Sequence, residues 1–205
     1  MAGAKTANRN RNAGGSAMKE ATRTVKALLF SDVKGFSKMS ERDCLAFCRH
    51  FHAGVQNDVL SRYADSIILQ NTWGDALHIV MDDLAKAGNL ALDLRDWMEQ
   101  HDWIGDGLSA DLKIRIALHA GVVTKVPDPI IRAFNYIGRN TSKAARIEPI
   151  TFEGQVFVSG AYAALLALER DTNLFCDYVG TRELPKNAGP LAVYLLHRTT
   201  RESKK

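Results

Sequence analysis

The 205-residue sequence has three cysteines, no internal repeat and no apolar run long enough to cross a membrane. Each absence excludes something. Cys44, Cys48 and Cys176 agree with a reducing compartment. Cys44 and Cys48 stand four apart in a helical pattern, but no further Cys or His completes a metal-ligand spacing, so they read as packing thiols. The opening residues, MAGAKTANRNRNAGGSAMKE, lack the continuous apolar segment of a secretory signal. With no signal and no span, the expected location is the cytoplasm, with no membrane partner. Basic surplus is also missing where a nucleic acid would need it. The chain carries +4 overall, yet residues 1–23 hold +4 and residues 198–205 hold +3, which leaves the body at −3. A surface for phosphate backbone belongs in the folded part, so no nucleic-acid partner is expected and the tails read as solvated ends.

What is present is a core-forming body, with 46% hydrophobic residues. Three segments are expected: a disordered basic tail at 1–22, one domain at 23–198 and a basic tail at 199–205. From Thr24, VKALLFSDV reads as a strand, followed by a turn at Lys34-Gly35 and a helix from Ser40 to about Tyr63. Leu45, Cys48, Phe51, Val55 and Val59 mark its apolar face. DSIILQNTW and DALHIVM form a hairpin through Trp73-Gly74. A second helix runs from Asp83 to Gln100, and LKIRIALHAGVV is a strand. Pro127 and Pro129 break the chain before a short helix near Asn140–Glu148, and QVFVS, CDYVG and LAVYLLH close as strands. The order βαββαβ with trailing strands predicts an α+β fold: a ferredoxin-like α/β sandwich with helices on one face of an antiparallel sheet.

Two carboxylates stand out. Asp32 ends an apolar strand and Asp75 sits at the tip of the following hairpin, so strand pairing brings both to one sheet edge. Such a pair suits hard divalent cations, and two-metal sites stabilise both oxygens of an in-line displacement. The turn Val33-Lys34-Gly35-Phe36-Ser37 leads into a helix, and backbone N–H groups there suit a triphosphate. His50, His52, His78 and His119 form no ligand cluster and read as packing residues.

In combination these residues are more specific. FSDVKGFS resembles the F-x-D-[IV]-x-G-F-[ST] motif of class III adenylate and guanylate cyclases, and TWGDALHIV resembles their second metal motif. RIALHAGVV is similar to their R-x-G-[IL]-H-x-G-x-V strand, and YIGRNTSKAARIE to Y-x-G-x-x-x-N-x-A-x-R-x-E. The four matches occur in family order across about residues 24–197. The resemblance implies cyclisation of a nucleoside triphosphate to a 3′,5′-cyclic nucleotide and pyrophosphate. It implies two divalent ions, Mn²⁺ or Mg²⁺, at Asp32, Asp75 and the Val33 backbone, one activating the ribose 3′-hydroxyl and the other binding the phosphates. Arg146 matches the arginine that stabilises the transition state, and Ser142 stands where the family has a ribose-orienting asparagine. Lys34, Gly35 and Phe36 fall in the phosphate-binding turn. The family's triphosphate lysine aligns with Pro185, leaving Lys186 or Arg182 to serve. Sites shared between two subunits imply a homodimer.

The base-reading positions depart from the family. Adenylate cyclases carry lysine and aspartate where this chain has Asn71 and Asn135, and guanylate cyclases carry glutamate at the first. A carboxamide offers both a donor and an acceptor, which suits the acceptor–donor–acceptor edge of uracil. A short cyclase of this kind is also similar to the pyrimidine cyclases of bacterial anti-phage systems known as Pycsar, whose cyclic UMP or cyclic CMP activates a separate effector. The expected substrate is therefore UTP ahead of CTP. The alternatives are an adenylate or guanylate cyclase with an unusual base pocket, or an inactive nucleotide-binding regulatory homologue.

Overall fold

A computed structural model describes residues 22–199; apart from Thr22 and Thr199, the two expected tails lie outside the described residues. Strand β1 (Thr22–Val33) buries Ala27, Leu28 and Leu29 in succession, so both of its faces are covered. After a left-handed Gly35 and a short 3-10 turn, α1 (Glu41–Gly54) begins where the Ser40 hydroxyl accepts the Asp43 N–H at 3.2 Å. The single helix expected up to Tyr63 is three pieces. α1 widens into a π turn at Val55–Val59, and then tightens into a 3-10 stretch at Leu60–Ser66. The cause is a tertiary contact. A Cβ on Gly54 would stand 2.2 Å from the Trp97 ring, so the helix passes that indole at a distance only glycine allows. The indole N–H then donates to Asp58 at 3.0 Å. The wider turn leaves both Val55 and Val59 buried.

The chain continues through β2 (Ile67–Trp73), β3 (Ala76–Met81), α2 (Leu84–Gln100), β4 (Ile114–Asp128), β5 (Ala133–Ile137), α3 (Arg139–Ile147), β6 (Val156–Ser159), α4 (Gly160–Leu166), β7 (Leu174–Glu183) and β8 (Pro190–Arg198). The strands form one eight-stranded sheet in the order β2-β3-β1-β4-β6-β8-β7, with β5 paired to β4.

The α+β expectation holds, with three corrections. First, the prolines do not break the chain after β4. Pro127 stays in the strand, opposite Phe134 near the turn end of a β4–β5 hairpin, where a missing N–H is tolerated. Second, α4 follows β6 directly, its first turn closed by the Ser159 hydroxyl accepting from Tyr162 N–H at 3.1 Å. Third, the helices lie on both faces and the sheet is mixed. The packing of α1, α2 and α4 covers Leu29, Ile79, Ile116 and Leu118, while β5 and α3 cover Leu28, Val80 and Val123 with Tyr136 and Ala144. β4 and β6 run parallel. No helix among the described residues is long and apolar enough to cross a membrane.

His78 stacks on Phe30 with ring centroids 4.3 Å apart, and its Nε2 is buried with no hydrogen-bond partner. Burial pushes its pKa down to about 4. The folded state therefore resists a proton that the unfolded chain takes up near its ordinary value of 6.5. This stability is fully present above that value and is lost as pH falls towards 4, with a slope of at most about 1.4 kcal/mol per pH unit. Urea denaturation of wild type and His78→Phe between pH 8 and 4 checks it. The variant gains relative to wild type as pH falls, and a pH-independent difference would contradict the assignment.

Candidate active site

The antiparallel β1–β3 ladder, with Ser31 opposite Leu77, carries the end of β1 up to the β2–β3 turn. That turn is the two residues Gly74-Asp75, closed by the Trp73–Ala76 pair. Gly74 has φ +62, and the Phe36 ring lies 3.1 Å from where its Cβ would be, so conformation and space both call for glycine. Asp75 is 8% exposed. Its Oδ2 accepts the Val33 N–H at 3.2 Å. Burial first, and then the charge of Asp32, hold its carboxyl above the ordinary range.

Arg115 on β4 is the register partner of Asp32. One guanidinium N–H₂ group meets Asp32 Oδ2 at 2.6 Å, while Nε lies 2.9 Å from Glu148 Oε1. The second pair is close but poorly aligned, since neither atom makes a well-directed hydrogen bond. Burial lifts the Glu148 carboxyl to about 7, opposed by Arg115 and reinforced by Asp32 and Asp75. Arg115 and Glu148 lie inside motifs quoted above, yet no role was read for them. The strand position of Arg115 was legible, but its pairing with Asp32 depends on the β1–β4 register.

Two carboxylates, Asp32 and Glu148, thus meet one guanidinium, Asp75 lies beside Asp32, and burial raises the pKa of both Asp75 and Glu148. Such a site gains from a further cation. Asp32 and Asp75 would offer hard oxygen ligands to such an ion, the ligand chemistry that suits Mg²⁺. No set of three His, Cys, Asp or Glu groups arranged for a metal occurs among the described residues, so a bound ion would take further ligands from substrate and solvent. The Val33 N–H is used in holding Asp75, and only its carbonyl oxygen is chemically able to ligate a cation.

The other expected residues lie apart from this acidic end. Ser142 and Arg146 on α3 line a groove of about 550 Å³ with Arg139, Lys143 and the β7–β8 turn. Neither contacts Asp32 or Asp75 among the described residues. Asn71 borders a separate groove of about 480 Å³ with Gln70 and Thr72. Asn135 is tied into the β4–β5 hairpin: its Nδ2 donates to Asp128 at 3.1 Å and its Oδ1 accepts the Tyr136 N–H at 2.8 Å. Of the phosphate candidates, Lys34 pairs with Glu153 at 2.7 Å and Arg182 sits over the Phe152 ring at 5.8 Å. Gly35 and Phe36 form the turn after β1, and Lys186 is exposed at φ +59 in the β7–β8 turn.

Removing the Arg115 charge strands two carboxylates. Arg115→Met should destabilise the metal-free protein by roughly 1–2 kcal/mol, less than breaking a fully buried pair because both Arg115 and Asp32 keep contact with solvent. Millimolar Mn²⁺ should then raise the melting temperature of the variant more than that of wild type, because a divalent cation replaces the lost charge. Equal shifts in a thermal-denaturation assay would count against a cation at this end.

The chain matches the family described as adenylate and guanylate cyclase catalytic domain over residues 18–198. It is 24% identical to a receptor-type adenylate cyclase of Trypanosoma congolense over 92% of its own length and 30% of that protein. It is 33% identical to the receptor-type adenylate cyclase ESAG 4 of Trypanosoma brucei brucei over 42% of its own length and 7% of that protein. The chain thus spans a third or less of the length of these curated relatives. Among solved structures, the adenylyl cyclase CyaB from P. aeruginosa superposes with a TM-score of 0.76 at 19% identity, covering 89% of this chain and 98% of that one. The guanylate cyclase domain of RhGC from Catenaria anguillulae, in complex with GTP, superposes at 0.72 and 20% identity, covering 88% and 100%. With the acidic strand end, the glycine turn and the α3 groove all in the matched span, this chain belongs to the adenylate and guanylate cyclase catalytic domain family.

Proposed function

We propose that the chain cyclises a nucleoside triphosphate to its 3′,5′-cyclic nucleotide and pyrophosphate, with UTP as the preferred substrate. In the reaction the ribose 3′-oxygen bonds to the α-phosphorus as the bond from that phosphorus to the pyrophosphate oxygen breaks, and the hydroxyl proton is released. The observation that carries this reading is the Asp75 carboxylate, buried beside Asp32 and fixed by the Val33 N–H. Asp32 and Asp75 would hold two divalent ions, which supply Lewis-acid activation of the 3′-hydroxyl and charge neutralisation of the phosphates when bound. Arg146 would place a guanidinium against developing phosphoryl charge, and Ser142 would orient the ribose. Gly35 and Phe36 shape the turn that meets the phosphates, with Lys186, free of ion pairs among the described residues, the basic group nearest the family's lysine position.

The acidic and basic halves occupy different surfaces of one chain, which supports a homodimer in which each active site takes its carboxylates from one chain and α3 from the other. Exposed apolar residues support the same reading: Ile130 is 90% exposed, and Ile131 and Phe134 stand with it on the β4–β5 hairpin. UTP is supported by Asn71, a carboxamide with no protein partner among the described residues. CTP is the second reading, favoured by the Asp128 carboxylate beside Asn135, which would accept from an exocyclic amine. A pyrimidine product would act as a second messenger on a separate effector, a reading that places the chain in antiviral defence and rests on Asn71 and Asn135. Three free thiols are in keeping with a cytoplasmic setting.

Purified protein incubated with Mn²⁺ and each of ATP, GTP, CTP and UTP separately tests the assignment by chromatography of the products. Cyclic UMP should dominate, and cyclic AMP as the sole product would sink the pyrimidine reading. Asp75→Ala and Arg146→Ala should each lower turnover by at least a hundredfold, on the order of the loss of one transition-state donor. Full turnover in Asp75→Ala would remove the two-metal assignment.

A further inference from the structure

His52, read from the sequence as a packing residue, sits on the last turns of α1 and reaches the β2–β3 turn. Its Nε2 lies 2.6 Å from the Gly74 carbonyl oxygen. A carbonyl only accepts, so Nε2 carries the proton and donates. We infer that His52 is a positioning residue for Asp75, holding the peptide that leads directly into that carboxylate. The inference rests on the proposed role of Asp75 as a metal ligand.

Three features argue that this contact sets the site rather than merely filling space. The first is the exposure of the turn. β2 is an edge strand, and Trp73 beside the turn is 88% exposed, so little else packs on its outer side. The contacts that hold the turn are the β1–β3 ladder, the Phe36 ring against Gly74, the Val33 N–H on Asp75, and His52. The second is the rigidity of the donor's own support. Phe47 and Phe51 on the same helix are fully buried, and Gly54 is pressed against Trp97 where the π turn begins. His52 is therefore presented from a helix that cannot slide or rotate without a clash. The third is leverage. Gly74 and Asp75 share a peptide bond, so reorienting the Gly74 carbonyl swings the Asp75 backbone relative to Asp32, which is anchored separately on β1 against Arg115.

One net hydrogen bond contributes about 1 kcal/mol, which corresponds to roughly five- to tenfold in an equilibrium. Pyrophosphate release from an equimolar mixture of ATP, GTP, CTP and UTP reports turnover whichever base is used. Titrating Mn²⁺ in that assay compares wild type, His52→Leu, His52→Asn, His52→Gln and Asp75→Asn, with thermal midpoints measured alongside. His52→Leu and His52→Asn should raise the half-saturating Mn²⁺ concentration roughly five- to tenfold, with a smaller loss of kcat at saturating metal. His52→Gln, long enough to offer an amide N–H to the same carbonyl, should restore half-saturation to near wild type. Asparagine keeps a polar side chain but is too short to reach, so the comparison does not depend on the leucine variant folding. Unchanged half-saturation in His52→Asn, or a glutamine variant no better than asparagine, overturns the inference. Wild-type Mn²⁺ dependence in Asp75→Asn is a different result, and overturns the metal role of Asp75 itself.

Discussion

The pairing of β1 with β4 runs the full twelve residues of β1, from Thr22 opposite Lys125 to Val33 opposite Ile114. The site depends on this ladder because a side chain's face is set by strand register, and a slip of one residue would invert it. In the observed register Asp32 faces Arg115. The same ladder buries Leu28 on one face of the sheet and Leu29 on the other, so a slip would cost both cores as well as the ion pair. Apolar packing on two faces thus fixes the position of a charged residue at the strand end.

That position has an electrostatic consequence. Asp32 and Glu148 share one arginine beside Asp75, and burial keeps Asp75 and Glu148 reluctant to ionise. An arrangement of this kind is poorly compensated by protein charges alone. The basic residues of α3 do not relieve it, because Arg139, Lys143 and Arg146 line a groove of their own. In the proposed dimer the substrate phosphates lie between an acidic surface that retains cations and a basic surface from the other chain. Neither surface alone neutralises a triphosphate.

Most of the fold was legible because alternation and helical spacing report burial directly, as in β1, β3, α2 and β4. What was missed has identifiable physical causes. The π turn after α1 follows from the close approach of Gly54 to Trp97, a tertiary contact with no local signature. β5 was hidden by two prolines read as a break, although Pro127 sits where its missing N–H costs little. The reach of α3 across the second face of the sheet is set by Tyr136, Ala144 and Ile147 meeting strands distant in sequence. Asp32 and Asp75 were legible because each stands at a strand end beside a glycine turn. Arg115, Glu148 and His52 were not, because each acts through a partner 22 or more residues away.

In the proposed reading base choice falls to Asn71 and Asn135, which stand in different surroundings. Asn71 is on the edge strand β2, at a groove lined by Gln56, Gln70 and Thr72 together with His52 and the core residues Leu77 and Ile79. Asn71 takes part in no ion pair among the described residues, but it shares its groove with His52, which reaches the Gly74 carbonyl, so it is not isolated from the turn that carries Asp75. Asn135 is under more constraint. Its carboxamide bridges Asp128 and the Tyr136 backbone, which leaves one N–H and one oxygen lone pair for a ligand. Asp128 in turn closes the hairpin by accepting the Ile130 N–H at 2.9 Å. A substitution at 135 would disturb the hairpin that exposes Ile130 and Phe134 as well as any base contact. In the proposed dimer a base contact at Asn135 is thus coupled to the surface offered to the partner chain, and one at Asn71 adjoins His52 and the turn that carries Asp75.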